Sequence, residues 1–179
     1  METNAKYERF VVSVIITLFN SRQTYNRALT SLMNQTFKEY ELVIVDDGST
    51  DGTETELFPA LKLNNNFKYI RHSNRKHPLS LNTGIINSTG KFITFLDSDD
   101  AYKSYHLKER VEFMNSHTDI DLLHSPATII GNEEDMFVPD VKDPSVLIHL
   151  KDCIIGGTFF GRRKVFEELH GFRNVYSHD

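Results

Sequence analysis

The sequence has one cysteine, no long apolar run and no excess of positive charge. Because Cys153 is the single cysteine among 179 residues, an internal disulfide and a cysteine-rich zinc site are both excluded, and a reducing compartment fits. The formal net charge of −5 argues against a general nucleic-acid binder, since affinity for the phosphate backbone needs clustered lysine and arginine. A small anionic ligand held through a metal ion is compatible with this charge.

The sequence also lacks the signals of membrane insertion and secretion. No stretch has the length and apolarity that a helix needs to cross a bilayer, and the first nine residues are polar, without the apolar core of a signal peptide. We therefore expect a cytoplasmic protein, and peripheral association with the inner face of a membrane stays open. We expect residues 1–9 to be loosely ordered and residues 10–179 to form a single domain.

The apolar residues that are present follow two alternating patterns. Continuous β-branched runs predict strands buried on both faces, whereas apolar residues spaced by three and four predict amphipathic helices. Predicted strands cover residues 10–16, 41–45, 67–71 and 91–96, and predicted helices cover 21–35, about 53–61, 78–87, 104–116 and 163–169. The first helix has an apolar stripe that comprises Tyr25, Ala28, Leu29, Leu32 and Met33.

The pattern is less regular between residues 121 and 160. Residues 121–130 predict one broken strand or two short strands around Pro126. Residues 131–145, rich in acids and with two prolines, predict a loop or an excursion from the sheet. The four strand and helix alternations before this region predict an α/β fold. Its central sheet is expected to be mostly parallel, with helices on both faces.

Polar segments follow three of the predicted strands. They cover residues 17–20, 46–51 and 97–100, and because parallel strands end at the same edge of a sheet, we expect them to meet in one crevice. Asp97 and Asp99 lie close in sequence, with Asp100 beside them, and such carboxylates repel each other unless protons or a cation offset the charge. A divalent ion bound by one or two carboxylates and by substrate phosphates is a common solution. The sequence therefore predicts a metal site.

The same segments, in the same order, resemble those of a family 2 glycosyltransferase, an inverting enzyme with the Rossmann-like GT-A fold. The similarity rests on an apolar strand with Asn20 in the turn after it, on Val45-Asp46-Asp47-Gly48-Ser49-Thr50-Asp51, on Asn82-Thr83-Gly84 and on Phe95-Leu96-Asp97-Ser98-Asp99-Asp100. It covers about residues 10–179 and implies the nucleotide-sugar-binding part of such an enzyme, truncated at its C-terminal end. The implied reaction moves a sugar from a nucleoside diphosphate sugar, with uridine expected, to a hydroxyl of a saccharide or glycolipid, as in polysaccharide biosynthesis.

The resemblance also implies which residues bind the nucleotide. Asp47 matches the acid that accepts a hydrogen bond from a uracil-type base, and Thr17 and Phe19 match the wall of the nucleoside pocket. Asn20 and Asn82 match further nucleotide-sugar-binding positions, although for Asn82 a role in helix packing is an equal alternative. The family usually has proline where Thr17 stands and tyrosine where Phe19 stands, so a ring is kept and a hydroxyl is lost.

The acids after the fourth strand receive separate roles from the resemblance. Asp97 matches the residue that faces the ribose, and Asp99 matches the ligand of a Mg²⁺ or Mn²⁺ ion that bridges the diphosphate. Asp100 is expected to cap the next helix or to support the site. Asp179, the last residue given, matches the general base that deprotonates the acceptor hydroxyl, although the alternative of a frayed chain end stays open.

One departure from the family concerns positive charge. An arginine commonly precedes the Asn-x-Gly motif in the family, whereas Leu81 stands there in this chain. Arg75 and Lys76 nearby are either substitutes for it or solvated loop charges. A non-catalytic nucleotide-sugar-binding or interaction module of the same fold is the main alternative function. A phosphoacceptor receiver domain is disfavoured, because its acid pair would follow the first strand. A nucleotidyltransferase is disfavoured too, since no glycine-rich loop ending in arginine follows that strand.

Overall fold

The computed structural model of the protein describes residues 10–173, in which strands and helices alternate as the sequence predicts. The strands are β1 (Val12–Leu18), β2 (Tyr40–Asp46), β3 (Phe67–Arg71), β4 (Phe92–Phe95), β5 (Leu122–Leu123), β6 (Phe137–Pro139), β7 (Leu147–His149) and β8 (Phe160–Arg162). The α-helices are α1 (Tyr25–Met33), α2 (Thr53–Leu63), α3 (His77–Ile86), α4 (His106–Ser116) and α5 (Arg163–Glu168). Within residues 10–173, no helix combines the length and the apolarity needed to span a bilayer.

Six strands form the central sheet in the order β3-β2-β1-β4-β8-β5. β1 pairs in parallel with β2 and β4, and β3 pairs in parallel with β2, whereas β8 runs antiparallel to β4 and β5. The prediction of a mostly parallel, mixed sheet flanked by helices is confirmed. The register places Leu18 of β1 beside Asp46 of β2, so these two strands end together at one edge.

Alternate residues of β1 face opposite helical layers. Val14 and Ile16 pack in the core shared with α1 and α4, whereas Ile15 packs in the core shared with α3 and α5. All three side chains are at most 2% exposed. Burial on both faces explains the continuous apolar run of β1.

The apolar stripe of α1 is buried at four of its five predicted positions, namely Tyr25, Ala28, Leu29 and Leu32. The prediction is wrong for Met33, which is 46% exposed because the helix ends at this residue. The helix also begins later than predicted. The carbonyl of Ser21 accepts the N–H groups of Thr24 and Tyr25, so residues 21–24 form a turn.

The region from 121 to 149 differs most from the prediction. Only residues 122–123 of the predicted 121–130 strands pair in the sheet, where they meet β8 as its edge partner. Residues 131–145 are not a plain loop. They include a 3₁₀ turn at Glu133–Met136 and strand β6, which pairs antiparallel with β7 and brings the Phe137 and His149 rings to 5.0 Å.

A buried carboxylate ties the amino ends of the strands together, opposite the crevice edge. Glu41 at the start of β2 is fully buried and accepts hydrogen bonds from the hydroxyls of Ser13 (2.7 Å) and Thr89 (2.8 Å) and from the Thr89 backbone N–H. Lys68 of β3 places its Nζ 2.8 Å from Glu41 Oε2. Burial favours the neutral carboxyl, but the Lys68, Ser13 and Thr89 hydrogen bonds outweigh it and lower the pKa of Glu41.

Candidate functional site

A cavity of about 370 Å³ opens at the carboxyl ends of the parallel strands. Four chain segments form its wall, and they come from the ends of β1, β2 and β4 and from the start of α3. The lining residues are Thr17, Leu18, Phe19, Ser21, Asp47, Asn74, Lys76, His77, Ser80, Asp97, Ser98 and Asp99. The crevice that the sequence predicts from its three polar segments is therefore present in the fold.

Asp47 lies directly after β2 and is 5% exposed. Its two carboxylate oxygens accept the backbone N–H groups of Arg75 (2.7 Å) and Lys76 (3.0 Å), and His72 Nδ1 lies 3.2 Å from Oδ1. A carboxylate offers roughly four acceptor positions, so capacity remains on the cavity side for a donor from a ligand. The loop before α3 thus fixes the orientation of Asp47.

Thr17 and Phe19 line the cavity from the end of β1. Thr17 lies on the sheet face that α3 covers, where its Oγ1 is 3.0 Å from His77 Nδ1. Phe19 is 52% exposed, an unusual state for a large apolar ring, and it offers a flat surface at the cavity wall. Both residues therefore belong to the cavity wall.

Asn20 has a supporting place in the turn after β1. Its Oδ1 accepts the backbone N–H of Thr50 at 2.8 Å, and its own N–H donates to Ser49 Oγ at 2.9 Å. The residue has φ of 52°, a left-handed conformation that asparagine tolerates better than most residues. Asn20 joins the turns after β1 and β2 and is not among the residues that line the cavity.

Asp46 and Asp51 shape the turn after β2. Asp46 is fully buried and accepts the Ser49 N–H (2.7 Å) and the Tyr69 hydroxyl (2.6 Å). Asp51 accepts the N–H and hydroxyl of Thr53 at the start of α2. Turn and capping chemistry therefore accounts for both acids.

The acids after β4 differ in their surroundings. Asp97 is partly buried, and a Cβ at Gly157 would lie only 2.7 Å from its Oδ2, so the residues Gly156–Thr158 close over this carboxylate. Burial raises the pKa of Asp97, an effect that His77 opposes and Asp99 reinforces. Asp99 is exposed at the cavity rim.

Asp100 does not cap the following helix. Its backbone N–H donates to the Asp97 carbonyl at 3.0 Å, whereas α4 begins only at His106, after Tyr105. The capping prediction for Asp100 is wrong because a loop of five residues separates it from the helix. Burial, with Asp97 and Asp99 nearby, raises the pKa of Asp100.

The donor set suits a cation shared with a ligand. Among residues 10–173, no group of three or more histidine, cysteine, aspartate or glutamate side chains is placed to hold a metal ion. Asp97 and Asp99 supply carboxylate oxygens at the cavity, which hard divalent cations prefer. Such a cation would complete its coordination with phosphate oxygens and water, so these residues fit a shared site and do not fit a closed protein cage.

Asn82 faces a different neighbour from the one that the resemblance implies. Its amide nitrogen donates to the carbonyl of Phe172 (2.8 Å), and its amide oxygen accepts the N–H of the same residue (2.7 Å). The structure does not bring Asn82 to the cavity lining. Gly84, two residues later, packs against the Ile15 side chain, which leaves no room for a Cβ. The helix-packing alternative accounts for this motif.

His77 lines the cavity, as Ser21, Asn74 and Ser80 do, although the sequence did not single out any of them as a site residue. His77 stands directly before Pro78 at the start of α3. Its place in the segment that follows β3 is the sequence signal that points to the cavity. Asp179, the predicted base, lies outside the described residues.

The sequence matches the family model described as "Glycosyl transferase family 2" over residues 13–170. A glycosyltransferase of Nostoc sp. is 30% identical over 145 residues, which are 80% of this chain and 45% of that protein. A glycosyltransferase of Rickettsia felis is 31% identical over 88% of this chain and 27% of that protein. The chain therefore spans less than half the length of these two relatives.

Solved structures share the fold. S. aureus TarS (residues 1–349) in complex with UDP superposes with a TM-score of 0.69 at 25% identity, covering 90% of this chain and 49% of that one. A mannosyltransferase from Pyrobaculum calidifontis, in complex with GDP-Man and Mn²⁺, has a TM-score of 0.71 at 18% identity and shows the same fold. Together with the family match over most of the chain, these likenesses identify it: the chain belongs to glycosyl transferase family 2.

Proposed function

We propose that this domain binds a UDP-linked sugar and, with a divalent cation, transfers the sugar with inversion to a hydroxyl of a saccharide or glycolipid. The observation that carries the proposal is the convergence of Asp47, Asp97 and Asp99 on one cavity with Thr17 and Phe19. Membership of the family supports glycosyl transfer. The UDP complex of TarS supports uridine in the donor, and the Mn²⁺ in the mannosyltransferase structure supports a divalent cation.

Three of the cavity residues, Asp47, Phe19 and Asp97, bind the nucleoside in this proposal. Asp47, held by the Arg75 and Lys76 N–H groups, accepts a hydrogen bond from the N–H of the base. The exposed ring of Phe19 covers the base, and Asp97 accepts a hydrogen bond from the ribose. These contacts place the anomeric carbon beside the acceptor, which removes much of the entropic barrier of a two-substrate reaction.

The transfer step forms a bond from the acceptor oxygen to the anomeric carbon and breaks the bond from that carbon to the diphosphate. Asp99 would hold a Mg²⁺ or Mn²⁺ ion, which would supply Lewis-acid stabilisation of the leaving group. Attack opposite the leaving group gives inversion. We assign the proton of the acceptor hydroxyl to Asp179, at the family's base position.

Calorimetry of UDP binding tests the donor assignment. We expect wild-type protein to bind UDP more tightly with Mn²⁺ than with EDTA, and Asp99→Ala to lose this difference because the cation loses its protein ligand. Asp100→Ala is the matched control, since it removes the same charge from the same loop but from outside the cavity lining. If wild-type protein binds no UDP with or without Mn²⁺, the proposal is wrong.

A non-catalytic module would also bind the nucleotide sugar, so turnover needs its own test. Asp179→Asn in the whole protein should abolish sugar transfer while UDP affinity stays unchanged. Intact turnover in this variant would remove Asp179 as the base.

A further inference from the structure

The cavity contains more negative than positive charge. Three carboxylates, those of Asp47, Asp97 and Asp99, line it, and Lys76 and His77 are the basic residues among the described lining. A diphosphate that enters this space meets repulsion from the acids, which a cation bound at Asp99 offsets only on its own side. Lys76 is the lysine in this lining and is the second source of compensation.

Lys76 has a backbone conformation that is unusual for its residue type. Its φ is 76° and its ψ is 155°, a region that essentially only glycine populates. The Lys76 N–H donates to Asp47 Oδ2 at 3.0 Å, and the Arg75 N–H donates to Asp47 Oδ1. These two hydrogen bonds hold the loop in this conformation. Glycine would meet the backbone requirement without strain, so the backbone does not explain the lysine.

The Lys76 side chain has no partner in the part of the chain that the structure describes. No salt bridge or side-chain hydrogen bond joins its ammonium to any residue between 10 and 173. Leu81, which stands where the resemblance expects an arginine, is 7% exposed and packs in the core with Ile85. The cavity lining therefore includes an exposed lysine with a strained backbone, whose ammonium has no partner among the described residues.

We infer that Lys76 binds the diphosphate of the sugar donor and sets the affinity for that group. The inference rests on the proposed function, because it takes the cavity ligand to be a nucleoside diphosphate. The role of Lys76 concerns only the diphosphate of the donor, whereas the proposed function also specifies uridine as its nucleoside. An ammonium at a phosphate oxygen makes a charge-assisted hydrogen bond, which is stronger than a neutral one.

The test compares UDP with uridine in metal-free buffer by calorimetry. Wild-type protein should prefer UDP over uridine, and Lys76→Met, which keeps the length of the side chain and removes the charge, should lose about tenfold in UDP affinity with unchanged uridine affinity. Lys76→Gly should show the same loss while its thermal stability equals or exceeds that of wild type, because glycine relieves the backbone. Lys62→Met is the matched control, since the same substitution removes the charge of an exposed lysine that is not part of the cavity lining, and it should bind as wild type does.

The outcomes separate the inference from the proposed function. Equal UDP affinity in wild type and Lys76→Met overturns the inference and leaves the proposed donor intact. Binding of GDP that depends on Lys76, with no binding of UDP, overturns the uridine assignment and supports the role of Lys76. A loss of uridine affinity in Lys76→Gly that matches its loss of UDP affinity also overturns the inference, because the loop would then act through Asp47 alone.

Discussion

The fold places two of the cavity carboxylates in different surroundings. Asp47 is buried and bonded to two backbone N–H groups, so its position is set before any ligand arrives. Asp99 is exposed and free to complete the coordination of a cation. A rigid acceptor suits recognition of a base edge, whereas an accessible carboxylate suits a metal that exchanges with each substrate. In the proposed function, the same residue type therefore has two tasks because its neighbours differ.

Asn82 gives a residue-scale prediction that separates packing from nucleotide binding. Its amide makes two hydrogen bonds to the Phe172 backbone, and Phe172 packs its ring 5.2 Å from the Phe95 ring. Asn82→Ala should lower the free energy of unfolding by about 1–3 kcal/mol, because a partly buried N–H and carbonyl lose their partners. Urea denaturation measures this loss. UDP affinity, measured by calorimetry well below the unfolding transition, should stay within about twofold of wild type.

The control for Asn82 is Asn87→Ala, directly after the same helix, which removes an exposed amide that donates to the Thr83 carbonyl. Surface changes of this kind are usually worth less than about 0.5 kcal/mol. A variant of Asn82 with full stability and weakened UDP binding would restore the nucleotide-binding role that the resemblance implies.

At the scale of elements, the Glu41 cluster links four segments of the sheet. The carboxylate at the start of β2 bonds Ser13 of β1 and Thr89 before β4, and pairs with Lys68 of β3. A charge buried among these strands is stable only while all of its bonds are made, since an uncompensated buried charge is costly. The cluster therefore fixes the strands at the edge opposite the cavity.

The lowered pKa of Glu41 predicts a pH dependence of stability. A carboxyl whose folded pKa lies below its unfolded value contributes stability above the unfolded pKa, near 4.3, and this contribution is lost as pH falls through the folded pKa. Glu41→Gln should therefore be less stable than wild type at pH 7, by about 1–3 kcal/mol, and the difference should shrink in acid. Urea denaturation between pH 7 and pH 3.5 measures it.

Glu54→Gln is the matched control for Glu41. Glu54 pairs with Arg71 where both side chains are partly exposed, and such surface pairs contribute about 0–1 kcal/mol. We expect a small stability change that varies little with pH. A Glu41→Gln difference that stays constant down to pH 3.5 would contradict the linkage argument.

Elements with strong local patterns could be predicted, and those that depend on distant partners could not. The run at 41–45 predicts β2, observed at Tyr40–Asp46, because a strand buried on both faces must be apolar throughout. The β6 and β7 hairpin has no such pattern, since its three-residue strands are mostly exposed and exist through their pairing with each other. Sequence periodicity cannot detect pairing between such short segments.

The same distinction applies to the cavity. Asp47, Asp97 and Asp99 could be placed because each follows a strand, and strand ends meet at one edge in a parallel sheet. Asn20 and Asn82 could not, because the partners that occupy their amides, Thr50 and Phe172, are far away in sequence. Hydrogen bonds between such distant residues are set by the tertiary fold.

At the scale of the whole molecule, the cavity wall comes from segments near residues 17, 47, 76 and 97. These segments lie at the ends of β1, β2 and β4 and at the start of α3. A ligand that contacts all four is lost when the domain unfolds, so its binding energy adds to global stability. At a concentration about 100 times its Kd, this gain is about 2.7 kcal/mol. For a domain of this size, that corresponds to a rise in Tm of about 5–10 °C.

We therefore predict that UDP with Mn²⁺ raises the Tm of the 179-residue chain by several degrees, and that the rise grows with UDP concentration. Differential scanning calorimetry measures it. In Asp99→Ala the extra rise that Mn²⁺ brings should vanish, because the cation loses its protein ligand, while the smaller rise from UDP in EDTA should persist through Asp47 and Lys76. An equal Mn²⁺ effect in Asp99→Ala and wild type would mean that the cation binds elsewhere. The coupling between metal and nucleotide would then lie outside this cavity.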